Sequence, residues 1–236
     1  MIPYRRSLMA IVMLLLMAAT AGCWQMEKQA GSTGGASQLE KEGEYRLAGE
    51  ENFYSGYRAL NENGDVRVVV EIPAGTNEKW EVNRENGKLE RDFKNGKPRV
   101  VQYLPYPGNY GMIPQTLLPE ESGGDGDPLD IIVLGPSVPR GTVLDVRIIG
   151  MIRMLDGGEQ DDKLIGVMRD SHFGDIRTIL ELEERYTGAA GILEDWFSHY
   201  KGPGVMQAGG LVEADAAGRV LRAAVEAYKK SVSGSE

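Results

Sequence analysis

A chain of 236 residues can bury one sizeable hydrophobic core but is short for two full domains. With 42% hydrophobic and 26% charged residues, it is composed to fold rather than to stay disordered. A formal net charge of −9 argues against a basic nucleic-acid-binding face, so no nucleic acid is expected as partner; a polyanion could be held only through metal ions or local basic groups.

The first element in chain order is a leader. Arg5 and Arg6 precede an apolar run over residues 8–19, too short for a transmembrane helix, which needs roughly 20 residues. Thr20-Ala21-Gly22 then leads into Cys23, the only cysteine in the chain. This resembles a bacterial lipobox, although Leu is commoner where Thr20 stands. An ordinary cleaved signal peptide, or a signal anchor, would leave an exported protein with one unexplained free thiol. The expectation is a signal peptide over residues 1–22 and lipidation of Cys23, giving an exported lipoprotein anchored to a membrane of the bacterial cell envelope. Residues 23–50, with Gly/Ser-rich 31–37 at their centre, read as a flexible tether before a folded domain over 51–236.

Within that domain, β-rich runs come first. Residues 66–72 form a nearly continuous apolar run ending at Pro73, and residues 79–83 alternate apolar and charged. Residues 83–87 supply turn chemistry, as in a hairpin. Further strands are expected over 99–104, 130–134, 143–152 and 163–168. Helical spacing appears only later, over 176–186, 189–200 and 213–230. Strands followed by helices imply an α+β, mainly β fold: a small barrel with helices packed outside. Strand–helix alternation is lacking, and so is a phosphate-cradling G-x-x-x-x-G-K-[ST] loop.

Asp125-Gly126-Asp127-Pro128-Leu129-Asp130 places three carboxylates within six residues. Gly126 and Pro128 impose a turn, so these groups can converge rather than alternate across a sheet. Converging carboxylates repel unless a cation intervenes, and Mg²⁺ accepts oxygen ligands of this kind. A solvated acidic turn is the plainer alternative. A second acidic stretch, Asp156 to Lys163, has the composition of an ordinary hairpin loop and gains weight only beside the first. Lys79 and Glu81 lie two apart on a strand and share a face. Tyr106 and Tyr110 bracket a Pro-Gly-Asn turn, where phenols can pack or donate to oxyanions. His172 and His199, the only histidines, read as structural.

E-I-P at 71–73, K-x-E at 79–81, Y-P-x-N-Y-G at 106–111 and D-G-D-P-x-D at 125–130 occur in that order, and together they resemble the soluble family I inorganic pyrophosphatases over residues 66–201. The resemblance implies a small closed OB-like β-barrel with flanking C-terminal helices. It also implies hydrolysis of pyrophosphate with three or four Mg²⁺ per site, and a homo-oligomer. Carried over residue by residue, Asp125 and Asp130 match metal-binding carboxylates, and Asp127 resembles the residue that takes a proton from the attacking water. Asp156 and Asp161 match a second metal-binding pair, and Glu71 and Glu81 the outer carboxylates. Lys79, Lys163, Tyr200 and Lys201 match phosphate ligands, and Tyr106 and Tyr110 the tyrosines at the site, Tyr110 taken with Asp127 as catalytic. The family's arginine falls where loop length varies; Arg99 is expected, with Arg91 as the other choice. The T-N-x-K-x-E form of 76–81 is closer to eukaryotic members, and the leader and tether lie outside the family pattern. A catalytically inactive, pyrophosphatase-like lipoprotein that binds metal or phosphate is the alternative.

Overall fold

The computed structural model describes residues 39–120 and 123–234. The expected signal peptide, Cys23 and the Gly/Ser-rich stretch lie outside them. The chain runs β1 (Glu40–Lys41), β2 (Arg46–Ala48), β3 (Val66–Ile72), β4 (Trp80–Val82), β5 (Leu89–Arg91), β6 (Phe93–Lys94), β7 (Lys97–Pro98) and β8 (Asn109–Met112). It continues through β9 (Asp130–Leu134), β10 (Val143–Asp156), β11 (Glu159–Gln160), β12 (Lys163–Met168), α1 (Ile179–Arg185), α2 (Ala189–His199), β13 (Met206–Glu213) and α3 (Ala214–Ser233).

Five strands close on themselves. β3 pairs with β8, β8 with β9, β9 with β12, β12 with β10, and β10 returns to β3. Only β9 and β12 run parallel, which gives the OB-like barrel that the resemblance implied. Closure needs one long strand, and β10 supplies it, pairing in turn with β3, β12, β13 and β11 along its length. β3, β9 and β12 are buried on both sides over most of their length, which explains their largely apolar runs. Ile132 and Leu134 pack towards α1 and α2 with Trp196 and Phe197. Ile131 and Val133 join the cluster capped by Ala217, Leu221 and Ala224 of α3. Gly111 is required where β8 crosses β3, because a Cβ there would lie 1.9 Å from the Val69 carbonyl oxygen.

A small antiparallel sheet, β1-β2-β5-β4, flanks the barrel through Phe53, Trp80 and Leu89. β1 and β2 therefore fall inside the stretch expected as tether, and ordered structure begins ahead of residue 51. The strand expected over 99–104 is absent. β6 and β7 form a hairpin through Asn95 and Gly96, both at positive φ, and beyond Pro98 only an isolated bridge, Glu78 to Val100, remains. Asn77 then ties the loop down by donating to the carbonyls of Val101 and Tyr103, while Pro105 and Pro107 withhold the N–H groups a ladder needs. The first helix starts later than expected because Thr178 caps it, its hydroxyl accepting from the Glu181 N–H at 3.0 Å. No helix among the described residues is long and apolar enough to cross a membrane.

Candidate active site

Four barrel strands present chemistry at one mouth. Glu71 lies near the end of β3, Tyr110 on β8, Asp130 at the start of β9 and Lys163 at the start of β12. Parallel pairing sets Lys163 directly beside Asp130, and the Lys163 ammonium, 1% exposed, bonds the carboxylates of both Asp130 and Asp161. Burial pushes the Asp161 carboxyl up to about 6, since Lys163 offsets desolvation only partly and Asp130 adds repulsion. Asp130 is desolvated too, yet Lys163, Lys79 and a hydrogen bond from Tyr110 hold it below the usual carboxylate range.

Beside this pair lies a cavity of about 280 Å³ carrying the carboxylates of Glu71, Glu81, Asp125, Asp127 and Asp130 with the cations Lys79 and Arg84. The β4–β5 hairpin forms one wall: Lys79 pairs with Glu81 at 2.8 Å, and Glu71 accepts from the Val82 N–H at 2.7 Å. Burial nevertheless pushes Glu71 up to about 8, with Asp130 and Glu81 adding to the effect. The acid loop forms the other wall. Gly126 takes φ +78°, and the Asp127 N–H donates to Asp125 Oδ1 at 2.9 Å, so the loop turns back on itself. Asp127 is half-exposed, and its carboxyl is raised by partial desolvation against the opposing Arg84, with Asp125 and Asp130 contributing.

On the far side, Asp156 at the end of β10 pairs with Lys201, just beyond α2. An aromatic wall connects the two regions. Tyr106 and Tyr110 lie with centroids 5.1 Å apart, Trp196 contacts Tyr106 at 4.3 Å, and Trp196 stacks on Tyr200 at 4.8 Å. Burial raises the phenols of Tyr106 and Tyr110, which keeps both protonated and able to donate at neutral pH.

The family model for inorganic pyrophosphatase matches residues 68–229. The chain belongs to the inorganic pyrophosphatase family. The inorganic pyrophosphatase of Geobacillus stearothermophilus is 42% identical over 130 residues, which is 52% of this chain and 70% of that one. The solved Thermus thermophilus inorganic pyrophosphatase superposes with TM-score 0.64 at 30% identity, covering 75% of this chain and 99% of that one. A type I inorganic pyrophosphatase from Toxoplasma gondii gives TM-score 0.76 at 25% identity, covering 82% and 98%.

Within this pyrophosphatase fold the two candidate arginines part company. Arg91 is the cross-strand neighbour of Trp80, so it faces away from Lys79 and Glu81; it pairs with Glu78 at 2.9 Å and is nearly buried. Arg99 pairs with Asp92 at 2.8 Å; against the lowering effect of burial, that hydrogen bond and charge raise its pKa, with Glu81 and Tyr200 adding smaller contributions. Sequence reasoning missed Arg84, which meets Asp127 at 3.3 Å, and Trp196, whose indole N–H donates to the Leu104 carbonyl. Neither sits in a motif, and Arg84 reaches its partner only through the fold. His199 bonds the Asp195 carbonyl and His172 packs on Phe173, so both histidines have local partners.

Among the described residues, no three carboxylates stand as a preformed metal cage, because lysine and arginine side chains hold them. The donors nevertheless fit a hard divalent cation. They are all oxygens, and the cavity sets five carboxylates against two cations.

Proposed function

We propose that this chain, an inorganic diphosphatase by family, hydrolyses pyrophosphate to two phosphates with Mg²⁺ as its cofactor. The observation that carries this reading is the pairing of a carboxylate-rich cavity with two lysines at one barrel mouth, the buried Lys163 and the largely buried Lys79. Neither feature alone suits a polyanion, but together they let metal and ammonium charge meet the same substrate. Asp125, Asp130, Glu71, Glu81, Asp156 and Asp161 are the groups to hold the metal. Bound there, Mg²⁺ supplies charge neutralisation of phosphoryl oxygens and a lowered pKa for water.

The protein's own groups do the rest. Lys79, Arg99, Lys163, Tyr200 and Lys201 grip the phosphoryl oxygens, and Tyr106 and Tyr110 donate from buried phenols. Asp127 suits the proton acceptor: its carboxylate is half-exposed, held in place by the turn, and somewhat more basic than an ordinary aspartate. The test is phosphate release from pyrophosphate by the purified chain, with Mg²⁺ and with chelator. Fast, chelator-sensitive release supports the reading; no release from a folded chain favours an inactive metal- or phosphate-binding protein.

We also propose that the enzyme is an exported lipoprotein held to a membrane of the cell envelope through Cys23, on the strength of the leader and the lone cysteine. Cys23→Ser should release the protein from membranes or leave an unprocessed leader; a mature Cys23→Ser form still on the membrane refutes the anchor. Assembly into a homo-oligomer is proposed with it, and light scattering reads it directly.

A further inference from the structure

Arg84 belongs to none of the recognised motifs, yet it occupies the acid loop. Its Nε lies 3.3 Å from Asp127 Oδ1, and its Nη1 donates to the Gly126 carbonyl. The backbone beneath it is fixed. Asn83 Oδ1 accepts from the N–H groups of Glu85 at 2.9 Å and Asn86 at 3.3 Å, and Asn83 donates to Glu90 at 3.0 Å. The Arg84 side chain is 47% exposed, so its guanidinium can swing while its backbone stays anchored.

We propose that Arg84 is a placeholder for a divalent cation among the carboxylates beside Asp127, a reading that rests on the metal-dependent function above. A guanidinium on Asp127 and a hard cation on the adjoining Asp125, Asp130 and Glu81 carboxylates repel each other and draw on the same negative field. Arginine stays charged at any physiological pH, so protonation does not relieve the competition. The contact to Asp127 is single and partly solvated, hence weak enough for a divalent ion to displace. Until that happens, Arg84 offsets repulsion among Asp125, Asp127, Asp130 and Glu81, which share the cavity. After displacement, the Gly126 carbonyl keeps the guanidinium at the rim.

The test is calorimetric titration with Mg²⁺ alone, without pyrophosphate, on the full chain stripped by chelator. Arg84→Ala is expected to bind Mg²⁺ about two- to fivefold more tightly than wild type at low salt, the range of a partly exposed ion pair. The gap should narrow at high KCl, and Arg84→Lys should behave as wild type. Thermal unfolding gives an independent readout: metal-free Arg84→Ala should melt below wild type and gain more in Tm from added Mg²⁺. Equal or weaker Mg²⁺ binding by folded Arg84→Ala refutes the placeholder while leaving the enzyme reading intact. No Mg²⁺ binding by any of the three chains refutes the metal site and the placeholder together.

Discussion

Lys163→Met removes a charge while keeping the side chain's length, at a position 1% exposed. In the wild type this ammonium serves both Asp130 and Asp161. Breaking a buried pair by removing one partner costs about 3–5 kcal/mol, because a desolvated charge is left behind. Here two carboxylates are left, so the upper part of that range is expected where both are ionised. Protonation then limits the damage. The Asp161 carboxyl already stands at about 6, against an ordinary 3.8, with Lys163 beside it. Losing Lys163 removes the largest influence lowering it, so its folded pKa rises further. A carboxyl raised in the folded state binds protons better there than in the unfolded chain, so its stabilising contribution is present at low pH and lost as pH rises through the folded value. Each unit of pKa is about 1.4 kcal/mol, so the penalty should fall to about 2–3 kcal/mol near pH 5.5, against about 4–5 near pH 8. Urea unfolding with chelator at both pH values measures this. A loss below about 1 kcal/mol, or one equal at the two pH values, would refute the account of Lys163 as the shared counterion. Adding Asp161→Asn to Lys163→Met should recover part of the loss, since the two sites touch.

Asp127→Asn should slow turnover by about 10²- to 10⁴-fold while retaining part of the Mg²⁺ affinity; near-normal turnover in a steady-state assay removes Asp127 from the proton-accepting role. The two arginines should separate by kinetics and stability. Arg99→Ala should raise KM for pyrophosphate with little effect on urea unfolding. Arg91→Ala should instead destabilise by about 1–3 kcal/mol by removing the nearly buried partner of Glu78, leaving Arg140 alone on Glu78 and Trp80, with KM near wild type. The reverse pattern would reassign the phosphate-binding arginine. Gly111→Ala should prevent barrel closure, since its Cβ would overlap the Val69 carbonyl; a soluble, cooperatively melting Gly111→Ala chain would show that β3 and β8 can separate.

β3 and β9 were legible in the sequence because they are buried on both faces, so apolar side chains run over residues 68–70 and 131–134, interrupted in the wider strands only by Arg67, Glu71 and Asp130. The loop carboxylates were legible for a different reason: Gly126 and Pro128 leave a local signature of turning, and the signature recurs with its companions in one order. β13 left no such trace. Its Ala208-Gly209-Gly210 centre has no strand propensity, and its pairing with the far end of β10 makes it a strand. The expected strand over 99–104 failed in the opposite way, because Val100 and Val101 favour a strand locally but find no ladder beside Pro105 and Pro107.

By itself, the sequence determined which residue types gather and on which strands, since periodicity, turn chemistry and motif spacing are local properties of the chain. Tertiary structure alone decided which charges meet. Lys163 lies between Asp130 and Asp161 because β9 and β12 pair in parallel, and Arg84 reaches Gly126 across 42 residues and Asp127 beside it. Arg91 turns towards Trp80 because of its cross-strand register. Coulomb energies depend on distance through space and on desolvation, and neither is set until the barrel has closed.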